Sequence, residues 1–408
     1  MGIDDPASDD EEPQNPFAGL PLFGDIAKLI GNQAGMGWSA ASQLATSIAT
    51  GGASEANVDP MERMELEQLA RVAEMHIERV SGLSSSTTGL GLTIRPVNRS
   101  LWIHSTMPAY QPLFEHMSEA LARVEPDDEL GSDPAMAMFG PFLNMIGPMM
   151  LTMTAGSMVG HLATRALGQY DLPIPRPVGD EIFVVVPNID EFGSEWSIDH
   201  ADLRLWVCLH EIAHHAVLNV AHVRARMESL LLEYADSFDA NAEALGSSIE
   251  PFDLTSLADP TKLAALQQQL GDPEAILGAM QSERQRQLMP ELDTLVAVVV
   301  GMVDHLMDQI GTSLISSYSM VTEALRRRRV EASASDRFVE RLLGLELSQA
   351  TYDRGSEFVK GVVERAGDEG LARLWSDERN LPTPNEITAP GLWLARIDLP
   401  EEDDDPSI

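Results

Sequence analysis

The clearest pattern along the chain is the spacing of apolar residues, which recur every three or four positions in three stretches. Residues 60–81 begin with proline, which suits the first turn of a helix, and separate an apolar face from a charged one, which predicts an amphipathic helix. Residues 291–310 are apolar on nearly every side, which predicts a helix buried on most of its surface. Residues 200–218 predict a third helix, whose apolar face includes Leu203 and Val207.

Signals for β-strands are fewer. The run EIFVVVP at 181–187 predicts the clearest strand, because β-branched and aromatic residues dominate it. The alternating residues 92–104 predict a second strand and its turn. The sequence therefore predicts a mainly α fold of the α+β class, in which a small β-sheet packs against helices.

One long stretch, residues 134–164, contains no Asp, Glu, Lys or Arg and is long enough to suggest a transmembrane helix. Pro141 and Pro148 interrupt it, glycines dilute it, and no basic cluster flanks it. These features favour two buried core helices joined at Gly-Pro pairs.

The composition indicates a sizeable core. With 408 residues, of which 44% are hydrophobic, we predict one domain over residues 17–385. The ends, 1–16 and 398–408, are acidic and rich in turn formers, so they are predicted to be disordered. The predicted helical parts of the domain are the helix 200–218, a partner helix 291–310 and a C-terminal part 312–385.

The charge and the cysteine content restrict the partners and the compartment. The 27 basic and 64 acidic residues give a net charge of −37, which argues against binding to nucleic acids or anionic membranes. Cys208 is the single cysteine, so no intramolecular disulfide is possible. Residues 1–16 lack the basic and apolar regions of a signal peptide. A cytoplasmic location is therefore predicted.

The candidate chemistry lies in helix 200–218, where His210, Glu211 and His214 form an H-E-x-x-H motif. Two histidines four positions apart lie on one face of a helix, so both imidazoles can bind one metal ion. The carboxylate between them can reach a water bound to that metal. The motif therefore predicts a zinc site.

With these segments in view, the chain resembles an actinobacterial zincin-like family of hydrolases, described as zinc-dependent metalloproteases or as associated with deazaflavin-cofactor biosynthesis. The resemblance implies a zincin-like fold, a zinc cofactor bound by His210 and His214, Glu211 as the general base that activates a zinc-bound water, and a peptide or protein substrate. It covers most of the chain and is carried by segments near 16–38, by 159–177, 187–192 and 204–217, and by ALRRRR, LLGLEL and LWSDERNLPTPNEI.

The same resemblance exposes a departure on helix 291–310. The family carries a Glu there as third zinc ligand, followed four residues later by Asp; here Val300 stands at the first position and Asp304 at the second. Valine cannot coordinate zinc, and a catalytic zinc site normally has three protein ligands and a water. Asp304 is then either a substitute ligand or a hydrogen-bond acceptor for a zinc-bound histidine, with His305 or Glu233 as further donors. The alternative is a non-catalytic relative that acts through binding or regulation.

Three further features leave a choice open, either between two residues or between two interpretations. Tyr170 and Tyr234 are both candidates for stabilising an oxyanion. The strand 181–187 is either an edge strand that holds an extended peptide or a plain core strand. The run Arg326–Arg329 suggests an anion site, but the net charge of −37 favours a solvated or salt-bridging helix face.

Overall fold

The structure is a computed structural model that describes residues 37–122, 149, 151–238, 281–332 and 334–399. Helices dominate it, as the sequence predicts. In chain order the elements are α1 Gly37–Thr50, α2 Pro60–Ser81, β1 Thr93–Val97, α3 Arg99–Ala122, α4 151–163, β2 Glu181–Val185, α5 Val186–Glu195, α6 His200–Leu218, α7 Ala221–Asp236, α8 Glu283–Leu314, α9 Tyr318–Val330, α10 Ala334–Leu342, α11 Gln349–Ala372, two short 3₁₀ turns Arg373–Trp375 and Glu378–Asn380, and α12 Pro390–Ile397.

The two strands form a small parallel sheet. Register runs from Thr93 beside Glu181 to Val97 beside Val185. On the opposite side of β2, Gly168 forms an antiparallel bridge with Val184. Because β2 is paired on both sides there, it is a core strand, and the interpretation as a free edge for a peptide is wrong at this position.

The helix α6 runs through the middle of the core and positions the motif. Asp199 caps its first turn, since its Oδ1 accepts from the backbone N–H groups of Ala201 at 2.9 Å and Asp202 at 3.1 Å. Nearly every residue from Leu203 onward is buried, and α6 packs against α2 and α8. This burial explains why the motif side chains sit in a low-dielectric interior.

One buried arginine anchors α6 to its neighbours. Arg204 donates to Glu65 of α2 at 2.8 Å and to Asp190 of α5 at 3.0 Å. A further bond reaches Glu62 at 2.7 Å. Charge-assisted bonds to three acids offset the cost of burying this guanidinium, whose Nε alone lacks a hydrogen-bond partner among the described residues.

The helices α8 and α11 cross at backbone contact. A Cβ on Gly301 would lie 2.7 Å from the Cα of Gly355, and one on Gly355 would lie 2.8 Å from the carbonyl carbon of Ala297. Only glycine permits this approach. By length and hydropathy alone α8 could cross a membrane, but 78% of its most apolar window is buried inside the protein, as in the core helix of a globular fold.

The helix predictions at 60–81 and 200–218 agree with α2 and α6. The partner helix is longer than the predicted 291–310, because Ser282 and Gln285 form a capping box that starts α8 at Glu283.

Of the charge-free stretch 134–164, only Met149 and residues from 151 onward are described, and 151–163 is helical. Residues 1–16 and 400–408 lie outside the described part of the chain.

Candidate active site

The motif residues lie together on one face of α6. The rings of His210 and His214 are one turn apart, with centroids separated by 4.4 Å. Trp206, one turn earlier, stacks on His210 at 4.7 Å between centroids and 19° between planes. The ring of His214 is tilted by 55° against that of His210, so Trp206 stacks on the first imidazole only, and the contacts along the helix restrict the orientation of both.

Both histidines use Nδ1 for hydrogen bonds close to their own backbone. His210 Nδ1 donates to Glu211 Oε1 at 3.1 Å, and His214 Nδ1 donates to the carbonyl of His210 at 3.1 Å. With Nδ1 as the donor in both bonds, each ring carries its lone pair on Nε2, the atom available to a ligand.

Burial keeps these imidazoles neutral. It lowers the pKa of His210 to about 4, and the nearby charge of Arg329 lowers it further against the opposing effect of Asp171. Burial, together with the proximity of His210, lowers the pKa of His214 to about 3. Neutral imidazole is the form that binds metal ions.

Glu211 is buried between α6 and the segment that precedes β2. Only 1% of the residue is exposed, and its Oε2 accepts from the backbone N–H of Tyr170 at 2.7 Å. Burial raises the pKa of Glu211 to about 7, while the Tyr170 N–H opposes that rise. A carboxylate with a pKa near neutrality is suited to both accepting and donating a proton.

Gly168 makes the room that Glu211 occupies. A Cβ on Gly168 would lie 2.6 Å from both Cγ and Oε2 of Glu211, and closer still to Cδ. The segment is held in place by Trp102, whose Nε1 donates to the carbonyl of Gly168 at 2.8 Å, and by the Val185 N–H, which donates to the carbonyl of Leu167 at 2.9 Å. The small sheet therefore positions the wall against which Glu211 packs.

A cavity opens beside the motif. It provides about 90 Å³ of space for water, room for several molecules. His210, Glu211 and His214 all line it. The other charged or aromatic side chains of its wall include Arg165, Asp171, Arg328, Arg329, Glu340 and Tyr352.

The comparisons with known proteins agree with this geometry. The family model of zincin-like metallopeptidases matches residues 36–394, which is most of the chain. The chain belongs to the zincin-like metallopeptidase family.

Among solved structures, this family member is similar to a crystal structure from Chloroflexus aurantiacus, a protein provisionally described as a hydrolase with a novel fold. The TM-score is 0.61 and the sequence identity 22%, and the match covers 89% of this chain and 99% of that one. At this identity the similarity supports the fold. A search of curated proteins finds no match.

Zincin-like metallopeptidases generally bind zinc. Two side chains of this site, both imidazoles, suit a single zinc ion as ligands. His210 and His214 offer neutral imidazoles whose Nδ1 atoms are already bonded. Among the described residues, no group of three His, Cys, Asp or Glu side chains is arranged to hold a metal ion. Any remaining coordination positions would belong to water or substrate.

Asp304, predicted as a substitute ligand or as an acceptor for a zinc-bound histidine, makes no hydrogen bond with the motif histidines among the described residues. It lies on α8, outside the wall of the cavity, and among the described residues neither motif histidine donates to it. Burial raises the pKa of Asp304 to about 6, with Arg329 opposing and Asp308 reinforcing that rise. Its predicted roles as a ligand or as an acceptor for a zinc-bound histidine have no supporting contact in this structure.

The other candidate donors and tyrosines also have different partners. His305 lies 2.7 Å from the amide of Gln309, and Glu233 pairs with Arg284 at the surface. Tyr234 donates to the carbonyl of Arg341 at 3.1 Å and lies outside the cavity wall. Tyr170 lines the cavity, but its hydroxyl is hydrogen-bonded to His215 Nδ1 at 2.8 Å. Its backbone N–H, which holds Glu211, is its clearer contribution.

Sequence reasoning missed several residues of this wall. Asp171 directly follows the Gly168–Tyr170 segment that supports Glu211, and this segment lies inside a stretch that carries the family resemblance. That was the available signal. No sequence signal indicated Glu340 and Tyr352, because α10 and α11 reach the cavity only through tertiary packing.

Proposed function

We propose that the protein is a zinc-dependent metallohydrolase that cleaves a peptide or amide bond. The observation that carries the proposal is the convergence of His210, Glu211 and His214 on one cavity, in a chain of the zincin-like metallopeptidase family. In this proposal His210 and His214 would hold zinc through their imidazole nitrogens. When zinc is bound, it supplies Lewis acidity for the substrate carbonyl and the attacking water.

Glu211 is the general base of the proposed reaction. It takes a proton from the attacking water as the new C–O bond forms, and it delivers this proton to the nitrogen as the C–N bond breaks. The products are a carboxylic acid and an amine. The Tyr170 N–H, 2.7 Å from Oε2, holds the carboxylate in place during the transfer.

The test is zinc content and hydrolysis in the full-length protein. We expect about one zinc per chain by elemental analysis and cleavage of a peptide mixture by mass spectrometry. Glu211→Gln should lower hydrolysis by about 10²- to 10⁴-fold and leave the zinc content unchanged. The matched control is Glu233→Gln, because Glu233 is 40% exposed and lies outside the cavity wall. A Glu211→Gln variant as active as the wild type would overturn the assignment.

A second candidate is a zincin-fold relative that acts through binding or regulation, without catalysis. Val300, which is 1% exposed, occupies the expected position of the third ligand, and the described residues supply no replacement set. This candidate predicts a purified protein without zinc. It also predicts that His210→Ala changes stability while no turnover exists to be lost.

A further inference from the structure

The four consecutive arginines of α9 divide between solvent and the cavity. Arg326 and Arg327 are exposed and both pair with Glu323, at 2.9 and 2.7 Å. Arg328 and Arg329 instead line the cavity that contains the motif. The prediction of a salt-bridging face therefore describes half of the run, and the other half points toward the site.

Arg329 has unused hydrogen-bonding capacity. Its guanidinium lies over the ring of Tyr352, 4.1 Å from the centroid, a contact that leaves the N–H groups at the guanidinium edge free. Its Nε is buried and has no hydrogen-bond partner in the described structure. No carboxylate of the described residues lies within the 4.0 Å ion-pair distance of Arg329.

Three buried side-chain atoms of the cavity wall lack a hydrogen-bond partner among the described residues, and all three are donors. Trp206 Nε1 and Arg165 Nε, like Arg329 Nε, are buried without a hydrogen-bond partner, and all three residues line the cavity. Arg165 is also engaged by Asp336, and its Nε lies 3.9 Å from Asp171. A ligand that completes this wall has to bring hydrogen-bond acceptors, and negative charge where it meets Arg329.

Arg328 has a different role. It donates to the carbonyl of Arg165 and lies over the ring of Phe192, 5.3 Å from its centroid. It makes no ion pair within the described residues, so it adds positive charge to the same wall while its geometry is set by these contacts. Arg329 is therefore the arginine placed to meet a ligand.

We propose that Arg329 and Trp206 Nε1 bind a carboxylate of the substrate, next to the bond cleaved at Glu211. This inference rests on the proposed hydrolase function and names its substrate class: peptides or acylated amino acids with a carboxylate on a residue beside the scissile amide. The carboxylate is either the free C-terminus or an acidic side chain. The wall also carries Asp171 and Glu340, so the charge that favours a substrate carboxylate is confined to Arg329 and its neighbour Arg328.

The first experiment compares paired peptides. One pair differs only in a free C-terminal carboxylate against a C-terminal amide, and another only in Glu against Gln beside the scissile bond. The member with the relevant carboxylate should have a kcat/KM about 10- to 100-fold higher, the value of a charge-assisted hydrogen bond. The pair that shows the preference identifies the source of the carboxylate. Equal rates within both pairs would overturn the subsite and leave the hydrolase standing.

Matched variants assign the preference to Arg329. Arg329→Gln should lower kcat/KM for the carboxylate substrate about 10- to 100-fold more than for its neutral partner, chiefly through KM. Arg326→Gln on the exposed side of α9 should change neither. Trp206→Phe keeps an aromatic ring next to His210 and removes the Nε1 donor together with part of the ring, so a loss of about 3- to 10-fold is expected. An Arg329→Gln variant that keeps the wild-type preference would overturn the proposal.

A binding measurement separates the two proposals. N-acetyl-L-alanine and N-acetyl-L-alaninamide are titrated into the full-length protein by calorimetry. Binding of the acid alone, lost in Arg329→Gln and kept in Arg326→Gln, supports the subsite even if no peptide is hydrolysed, in which case only the hydrolase proposal fails. Equal binding of both compounds would contradict the subsite, and binding of neither would contradict the free C-terminus as the source of the carboxylate.

Discussion

Gly168→Ala tests whether Glu211 is positioned by the absence of a side chain opposite it. The added Cβ would lie 2.6 Å from Cγ and Oε2 of Glu211, where carbon atoms normally keep about 3.5–4.0 Å. Glu211 would have to move and give up the bond from the Tyr170 N–H, now 2.7 Å long. Overpacking costs about 1–3 kcal/mol and a buried unpaired N–H about 1–3 kcal/mol, so the free energy of unfolding should fall by about 2–6 kcal/mol.

The assay is urea denaturation, with hydrolysis measured in parallel. Gly179→Ala is the control, since a Cβ there meets nothing nearer than 3.9 Å. The double variant, Gly168→Ala with Glu211→Ala, lacks the Glu211 side chain that the new Cβ would meet. Its loss of unfolding free energy should therefore be smaller than the sum of the two single losses by about 2 kcal/mol. Additive costs, or a Gly168→Ala variant as stable as Gly179→Ala, would refute the reasoning. Loss of hydrolysis comparable to that of Glu211→Gln is expected in Gly168→Ala.

Two other predictions follow from burial and from close packing. Burial raises the pKa of Glu340 to about 7 from its ordinary 4.5, so between these pH values the folded protein keeps a proton that the unfolded chain releases. The free energy of unfolding should therefore fall as the pH rises from about 4.5 to about 7. Above pH 7 the free energy of unfolding of Glu340→Gln should exceed that of the wild type by about 2 kcal/mol, whereas at pH 4 the two should be equal. Parallel denaturation profiles for the two proteins across this range would contradict it. Gly355→Ala places a Cβ 2.8 Å from the carbonyl carbon of Ala297, a backbone atom that cannot move aside. This variant should lower the free energy of unfolding, measured in urea, by about 3 kcal/mol or more. The control Gly391→Ala, whose Cβ would lie 3.7 Å from Arg365 Nε, should be nearly neutral.

The parts of the fold that depend on local chemistry could be predicted from the sequence. Proline at the start of α2 and Asp199 before α6 are signals that act within one turn, and the bounds of both helices follow them. The start of α8 was missed because residues 283–290 are polar and end in a proline, which hides a helix from a search for apolar periodicity. The capping box at Ser282 was the local signal that would have found it.

The candidate site divides in the same way. His210 and His214 share one helix face by spacing alone, with Glu211 between them in sequence, so the motif could be identified without a structure. Arg329 reaches the same cavity from a helix far along the chain, and no local pattern encodes that meeting. Asp304 was placed beside the histidines by resemblance, but its side chain lies outside the cavity wall.

The glycine crossing of α8 and α11 has a consequence for redesign. Tyr352, the platform under Arg329, lies one turn before Gly355, where the two backbones are in contact. A helix fixed at that point cannot slide or rotate without a clash, so the platform keeps its register with α8. Libraries aimed at a new substrate preference should therefore vary the cavity-facing positions of α9 and keep α11 unchanged, since diversity in α11 would mostly yield chains that fail to fold.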